Sequence, residues 1–530
     1  MMKKFLLLSF LISISLFAQE KEGDNPSVEL PDFVITGKYQ NSVQTAKKLP
    51  PDFVSTITDD FLKPSYSPEE MDIKNIENPI EQDLKLLDSL NYLQGKIDVG
   101  IGLYSIPVAA LSYAYLFEDG IFEGHFAGEY QREYIDQSSR YGINGGAKIQ
   151  YLLWKNSGFL TNSRITLNGD YSTKSFKFFG SSIPDEKRSL NSGFINLSLD
   201  NYSNENFNYL FKFSDTSSTL SEEKFSENIF NIQSYTKFII SHFNLGIDLN
   251  YQNQTKTDSL GDGGESFFFI RPKLELGVAD FAKVAFGFTY ENSGNKNFTS
   301  PYAALAMMLD KNISLFAEYH PEAEFISVGS LLNNNEYFNP QNYNRVFFEK
   351  SSAINISVKY EYERYFQIDG GVKYYSTSNN PYFFLSQINK KYELGSTEAK
   401  YFSGFIDFIF HPGPFGVFYG STEVLSLKDT ANNFVPFVPS VKINFAYGYD
   451  FNFGLSGEVN LDYRSNRFTD INNIIEIDDY INLKIKLSYL FEHNLFFTLT
   501  FENLLDSQNY RWANYIERPF DITAGIRYTW

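Results

Sequence analysis

The chain has 530 residues, 18% of them aromatic, no cysteine, and 64 Asp and Glu against 45 Lys and Arg, for a net charge of −19. That acidic balance argues against nucleic acid as a partner, and the lack of cysteine excludes both a disulfide framework and a lipid-modified N-terminal Cys. After the first 18 residues no stretch approaches the ~20 consecutive apolar residues of a spanning helix, which excludes a helical membrane protein.

The elements follow in chain order. Lys3 and Lys4 form a positive n-region, Phe5 to Phe17 an apolar core, and Leu16-Phe17-Ala18 a small-residue cleavage site, so residues 1–18 are expected to be a secretory signal. Its removal lowers the net charge to −21. Residues 19–93 are polar and proline-punctuated with poor alternation, which predicts a periplasmic extension, mostly loop. Within it, residues 80–92 carry Ile80, Leu84 and Leu87 on one side and predict one short helix.

From Lys96 the period of the apolar residues becomes two. Ile354, Ile356, Val358, Tyr360 and Tyr362 alternate with Asn355, Ser357, Lys359, Glu361 and Glu363, and Ile481, Leu483, Ile485, Leu487 and Tyr489 repeat the pattern. Side chains of a strand alternate between faces, so each such strand has one greasy and one polar side. The final strand does the same: Phe520, Ile522, Ala524, Ile526, Tyr528 and Trp530 share one face, Asp521, Thr523, Gly525, Arg527 and Thr529 the other. Strands of this kind, ending on an aromatic, predict an all-β fold over 94–530, a transmembrane antiparallel β-barrel of the outer membrane. The competing reading is a secreted β-sandwich array or propeller.

Tight turn signals recur at residues 118–120, 155–158, 203–206, 310–312, 411–414 and 492–494. Longer polar connections are expected at 176–191, 214–226, 321–350, 377–398, 467–479 and 503–518. Short turns on one side and long loops on the other give about 22 strands (18 to 22), with both chain ends in the periplasm of a Gram-negative cell. Phe520, Ile522, Ile526, Tyr528 and Trp530 are the candidate signal read by the barrel-assembly machinery, and outer-membrane lipid is the partner of the greasy faces.

Three stretches carry a resemblance. Glu502-Asn503-Leu504-Leu505-Asp506, then Tyr510, then Arg518-Pro519-Phe520 and the last strand resemble the end of TonB-dependent receptors. Asn339-Pro340 and Phe348-Glu349-Lys350-Ser351 resemble that family's approach to a barrel strand, with Phe348 where the family has Pro. Asp32-Phe33-Val34-Ile35-Thr36-Gly37 looks like a TonB box, and Leu49-Pro50 to Thr58 like a first plug strand. Only about 35 residues then remain before the barrel, below the ~50 of an independent domain, so the plug is truncated or absent. The resemblance implies a transporter passing an unidentified solute or small-molecule ligand, with TonB as partner. A passive or partner-gated porin and a surface-binding scaffold barrel are the alternatives.

No catalytic, cofactor or metal pattern stands out. His125, His242, His320, His411 and His493 are scattered singly, the last two of the five in turns, and neither a nucleophile elbow nor a phosphate-binding loop occurs. Asp258 to Glu265 is acidic and Gly-rich but does not fit a calcium loop, and reads as a solvated mobile loop. The chain is therefore expected not to be an enzyme. A lumen of 22 strands is too wide for wall side chains to fill, so residues 38–93, inward-folded connections such as 321–350, or a partner must obstruct it.

Overall fold

The computed structural model describes residues 95–530, apart from 154–159, 161, 202–205, 241–242, 342, 344, 363–364, 388 and 452. The signal, the TonB-box-like residues 32–37, the extension and its helix lie outside the described residues.

From Gly95–Gly102 onward the staves of the wall pair antiparallel in chain order. The last, Asp521–Thr529, pairs with the first, setting Tyr528 opposite Ile97 and Ile526 opposite Val99. The main sheet holds 23 strands, of which Ile313–Tyr319 and Glu322–Ser327 both pair with Arg345–Tyr362. These two are halves of one stave interrupted at His320-Pro321, where proline lacks the N–H a ladder needs. The result is a closed barrel of 22 staves. Closure follows from the surroundings, since hydrocarbon offers backbone groups no partner and an edge would stay unsatisfied.

The burial pattern is inverted relative to a soluble protein. Ile97, Val99, Ile101, Ile526 and Tyr528 are exposed on the outside, whereas Asp521, Arg527 and Thr529 are buried inside. Arg527 Nε donates to Asp98 Oδ1 at 2.6 Å, so an ion pair on the lumen side crosses the seam between last and first staves. A cation facing lipid near the midplane would cost ~2–4 kcal/mol, which fixes the facing of each strand.

Both described chain ends lie at the end of the barrel with short turns, such as Glu118-Asp119 and His493-Asn494; the longer connections lie at the other. The outward apolar face covers only part of each strand. In Phe207–Leu220 the outward Phe207, Phe211 and Phe213 give way to Asp215, Ser217 and Thr219; in Phe243–Asp258, Leu245, Ile247 and Tyr251 give way to Asn253, Thr255 and Thr257. Sixteen residues in the second strand correspond to about 50 Å at ~3.3 Å each, more than a tilted strand needs to cross a ~25 Å apolar band. The strands therefore project past the band on the long-connection side.

That projection corrects several expectations. Most of 214–226 is strand, turning at 221–224, and 377–398 is strand apart from 386–391. Asp258 to Glu265 is no mobile loop: Asp258 and Gly261 close a tight hairpin in which Gly261 to Glu265 pair with Asp258 to Gln254.

Candidate functional site: inward connections in the lumen

Several of the longer connections fold into the barrel. After Ser327 the chain forms helix α1, Val328–Asn334, instead of leaving the wall as a solvated loop. Ser327 caps it, its side-chain oxygen accepting from Ser330 N at 3.0 Å. The free N–H groups of Val328 and Gly329 both donate to the buried carboxylate of Glu227, the first at 3.0 Å. A helix N-terminus favours a carboxylate there. Gly329 is required by closeness: a Cβ at that position would stand 2.5 Å from Ser218 Oγ and 2.9 Å from Glu227 Oε2.

Val328, Leu331, Leu332, Tyr337 and Phe338 are then buried against wall residues Phe176, Leu190, Leu220, Phe225 and Phe383. Arg188, 0% exposed, fastens the segment. Its Nη1 donates to the carbonyls of Glu336 at 2.6 Å and Phe338 at 2.7 Å, its Nε to Glu223 at 2.9 Å, and its guanidinium lies 4.5 Å from the Phe178 ring centre. Farther on, Lys256 Nζ donates to Tyr343 O at 2.7 Å, and the Tyr343 hydroxyl bonds the backbone of Leu394 at 3.1 Å.

The connection 503–520 comes from a distant part of the wall and carries a small hairpin, Tyr510–Trp512 with Tyr515–Ile516. Tyr515 stacks on Tyr337 with ring centres 3.6 Å apart, and Trp512 meets Phe383, Tyr392 and Phe437 at 5.0–5.4 Å. The connection 178–186 touches the same hairpin, with Gly180 so near Asn514 O that a Cβ would come within 2.4 Å. Connections from separate regions of the wall thus meet in one aromatic cluster within the lumen. Burial raises the Tyr337 and Tyr515 hydroxyls above their ordinary value, so both rings stay neutral.

Beside the cluster lies a cavity of about 410 Å³, bounded by Trp512, Phe437, Tyr375, Arg464, Arg467 and Arg511, and a smaller one of about 200 Å³ at Arg140, Glu336 and Glu517. Another part of the wall is ionic. Asp248 receives Arg271 at 2.9 Å and Lys273 at 3.3 Å, Lys350 approaches Glu322 at 3.6 Å, and His320 sits buried 3.5 Å from Glu322. The seam at the C-terminus is equally tied: Arg518 Nη1 lies 3.2 Å from Glu129 and from Asp521, linking the third and last staves.

Of the residues singled out from sequence, Ile526, Tyr528 and Trp530 are exposed on the outer face, with Ile522 half-buried beside them in the register and Phe520 just before the strand. The Asn503 to Asp506 stretch builds the turn that returns the chain to that strand. Asn503 and Asp506 both take left-handed backbone, at φ 46° and 49°, Asn503 Nδ2 donates to Arg518 O at 3.2 Å, and Asp506 Oδ1 accepts from Phe520 N at 3.0 Å. His411 and His493 fall in turns. Arg188, Glu227, Arg467 and α1 escaped the sequence reading, because nothing local marks a polar residue as facing a partner some forty to a hundred and fifty positions away.

No protein-family model matches the chain, and no curated protein matches it by sequence. Solved structures do match in shape. The siderophore receptor PiuA from Acinetobacter baumannii is 12% identical, with a TM-score of 0.62 over 83% of this chain and 81% of that one. The ferric-catecholate import receptor Fiu from E. coli K12 is 10% identical, with a TM-score of 0.61 over 83% and 82%. The copper transporter OprC is 8% identical, with a TM-score of 0.60 over 83% and 81%. In fold, then, the chain is a TonB-dependent receptor-like barrel of 22 antiparallel staves.

Proposed function

We propose that this barrel sits in the outer membrane with its short turns in the periplasm and passes a small solute through its lumen, past a constriction made by its own outer connections. The observation that carries this reading is the meeting of Tyr337 and Tyr515 at 3.6 Å, from connections far apart on the wall. An open porin has no use for a packed aromatic cluster across its path, and a scaffold has no use for an ionic lumen. The neighbours in fold are named as receptors and transporters, which supports transport. No catalytic step belongs to this reading.

Coupling is proposed through residues 32–37. A peptide covering Val28 to Lys38 is expected to bind a TonB C-terminal domain, and no detectable binding would return that segment to linker. Transport is tested by uptake of candidate nutrients in cells lacking the gene. A defect restored by the full chain is expected; unimpaired uptake of every nutrient tried would favour the scaffold. If the plug remnant 38–93 adds a second obstruction, its deletion raises the conductance of the purified barrel.

A further inference from the structure

The cavity of about 410 Å³ beside the aromatic cluster has the size of a small-molecule site. Four basic side chains face it. Three have carboxylate partners: Lys442 with Glu423 at 3.0 Å, Arg464 with Asp462 at 3.0 Å, and Arg511 with Glu517 at 3.8 Å. Arg467 differs. It stands on the small hairpin Arg467–Phe468 and Glu476–Ile477 and is 4% exposed. Its Nη2 donates to the carbonyls of Tyr510 and Arg511, and its Nη1, buried at the cavity wall, has no hydrogen-bond partner.

A buried cation with an unused donor is costly to a fold unless something completes it. Burial, reinforced by Arg464 and Arg511, pushes the guanidinium down to about 10, so it still carries its charge at neutral pH. The carboxylates at the site are already engaged by the other three cations. What remains is one positive charge, one unpartnered donor nitrogen, and a wall of rings from Trp512, Phe437 and Tyr375.

We propose that this cavity binds an organic monoanion in which one carboxylate bonds Arg467 Nη1 and an aromatic or apolar body lies against Trp512 and Phe437. A charge-assisted N–H···O⁻ bond in a poorly solvated site supplies the selectivity, and the rings supply the contact area. The proposal adds a ligand class to the transport reading and takes its meaning as a solute site from it, but binding is read on the purified barrel without transport.

The test uses the full chain in detergent and the fluorescence of Trp512, with Trp512→Phe as the control that removes the signal. Three probes separate the parts: benzoate, its uncharged analogue benzamide, and acetate, which has the charge without the ring. Saturable quenching by benzoate, with benzamide and acetate at least about ten-fold weaker, is expected; ten-fold corresponds to ~1.4 kcal/mol. Arg467→Gln is expected to abolish the preference for benzoate over benzamide, and Arg467→Lys, which keeps the charge, to retain part of it. Equal binding of benzoate and benzamide, or of benzoate and acetate, overturns the proposal. So does a preference that survives Arg467→Gln. Should Arg467→Gln fail to form a heat-modifiable barrel, the three probes on the unaltered protein decide. Failure of binding with an uptake defect still present sinks this proposal alone, and binding without any uptake defect sinks only the transport reading.

Discussion

Arg188 ties the largest inward segment to the wall through a carboxylate and two backbone carbonyls. Arg188→Met keeps the bulk against Phe178 and removes every donor. Stranding Glu223 and two carbonyls should cost about 3 kcal/mol, enough to populate an undocked 328–344 segment. Limited proteolysis checks it: cleavage between residues 328 and 344 should rise by an order of magnitude or more, and an unchanged pattern would show that the aromatic packing alone holds the segment. Contacts of this kind were not legible from sequence. Alternation told which residues face the lumen, but Arg188 meets Glu336 and Phe338 only because register carries the wall past a connection about 150 positions on.

Two elements give predictions of their own. Gly329 of α1 has no room for a side chain, so Gly329→Val should push the helix off Ser218 and Glu227 at a cost of ~1–3 kcal/mol. A hydrogen-exchange measurement should find faster exchange at Leu331 and Leu332 with the wall strands unaffected; equal exchange would mean that the wall yields instead. The last strand is tested through its final residue. Trp530 is 37% exposed on the lipid side at the end of the strand, where burial contributes little, so Trp530→Ala should barely change the stability of an assembled barrel. If Phe520, Ile522, Ile526, Tyr528 and Trp530 form a signal for the assembly machinery, the amount of barrel in the membrane nevertheless falls several-fold. An amount in line with stability would reduce them to lipid contacts.

Elements were legible where lipid imposes alternation. The strand at Ile481 to Tyr489 and the strand at Ile354 to Tyr362 stand where their pattern put them. Beyond the apolar band both faces of a strand are polar. Asp215, Ser217 and Thr219 therefore read as loop although they continue a strand. The motif at Asn503 to Asp506 was legible for another reason, since left-handed backbone and side-chain capping in one turn demand residues of that type.

For the whole molecule, the seam and the constriction are separate claims. The seam is held by seven paired positions between first and last staves and by the Arg527–Asp98 pair. Arg527→Ala leaves Asp98 with less compensation but keeps the ladder, so the barrel should still form and melt only a few degrees lower; failure to form would make the ion pair essential to closure. The even count of staves was reached from the punctuation of turns, whereas inward-folded connections such as 321–350 stood only as one of three candidates for the obstruction, because Val328 to Phe338 has the composition of a loop and becomes a core only when Phe176, Phe383 and Tyr515 surround it.

The most direct test of the central claim, a lumen narrowed by its own outer connections, is single-channel conductance in a planar bilayer. The intact protein should be nearly silent, and the double variant Tyr337→Ala with Tyr515→Ala should open steps of nanosiemens scale while residues 38–93 are still present. Large constitutive currents from the intact barrel, or a double variant as silent as the parent, would contradict it.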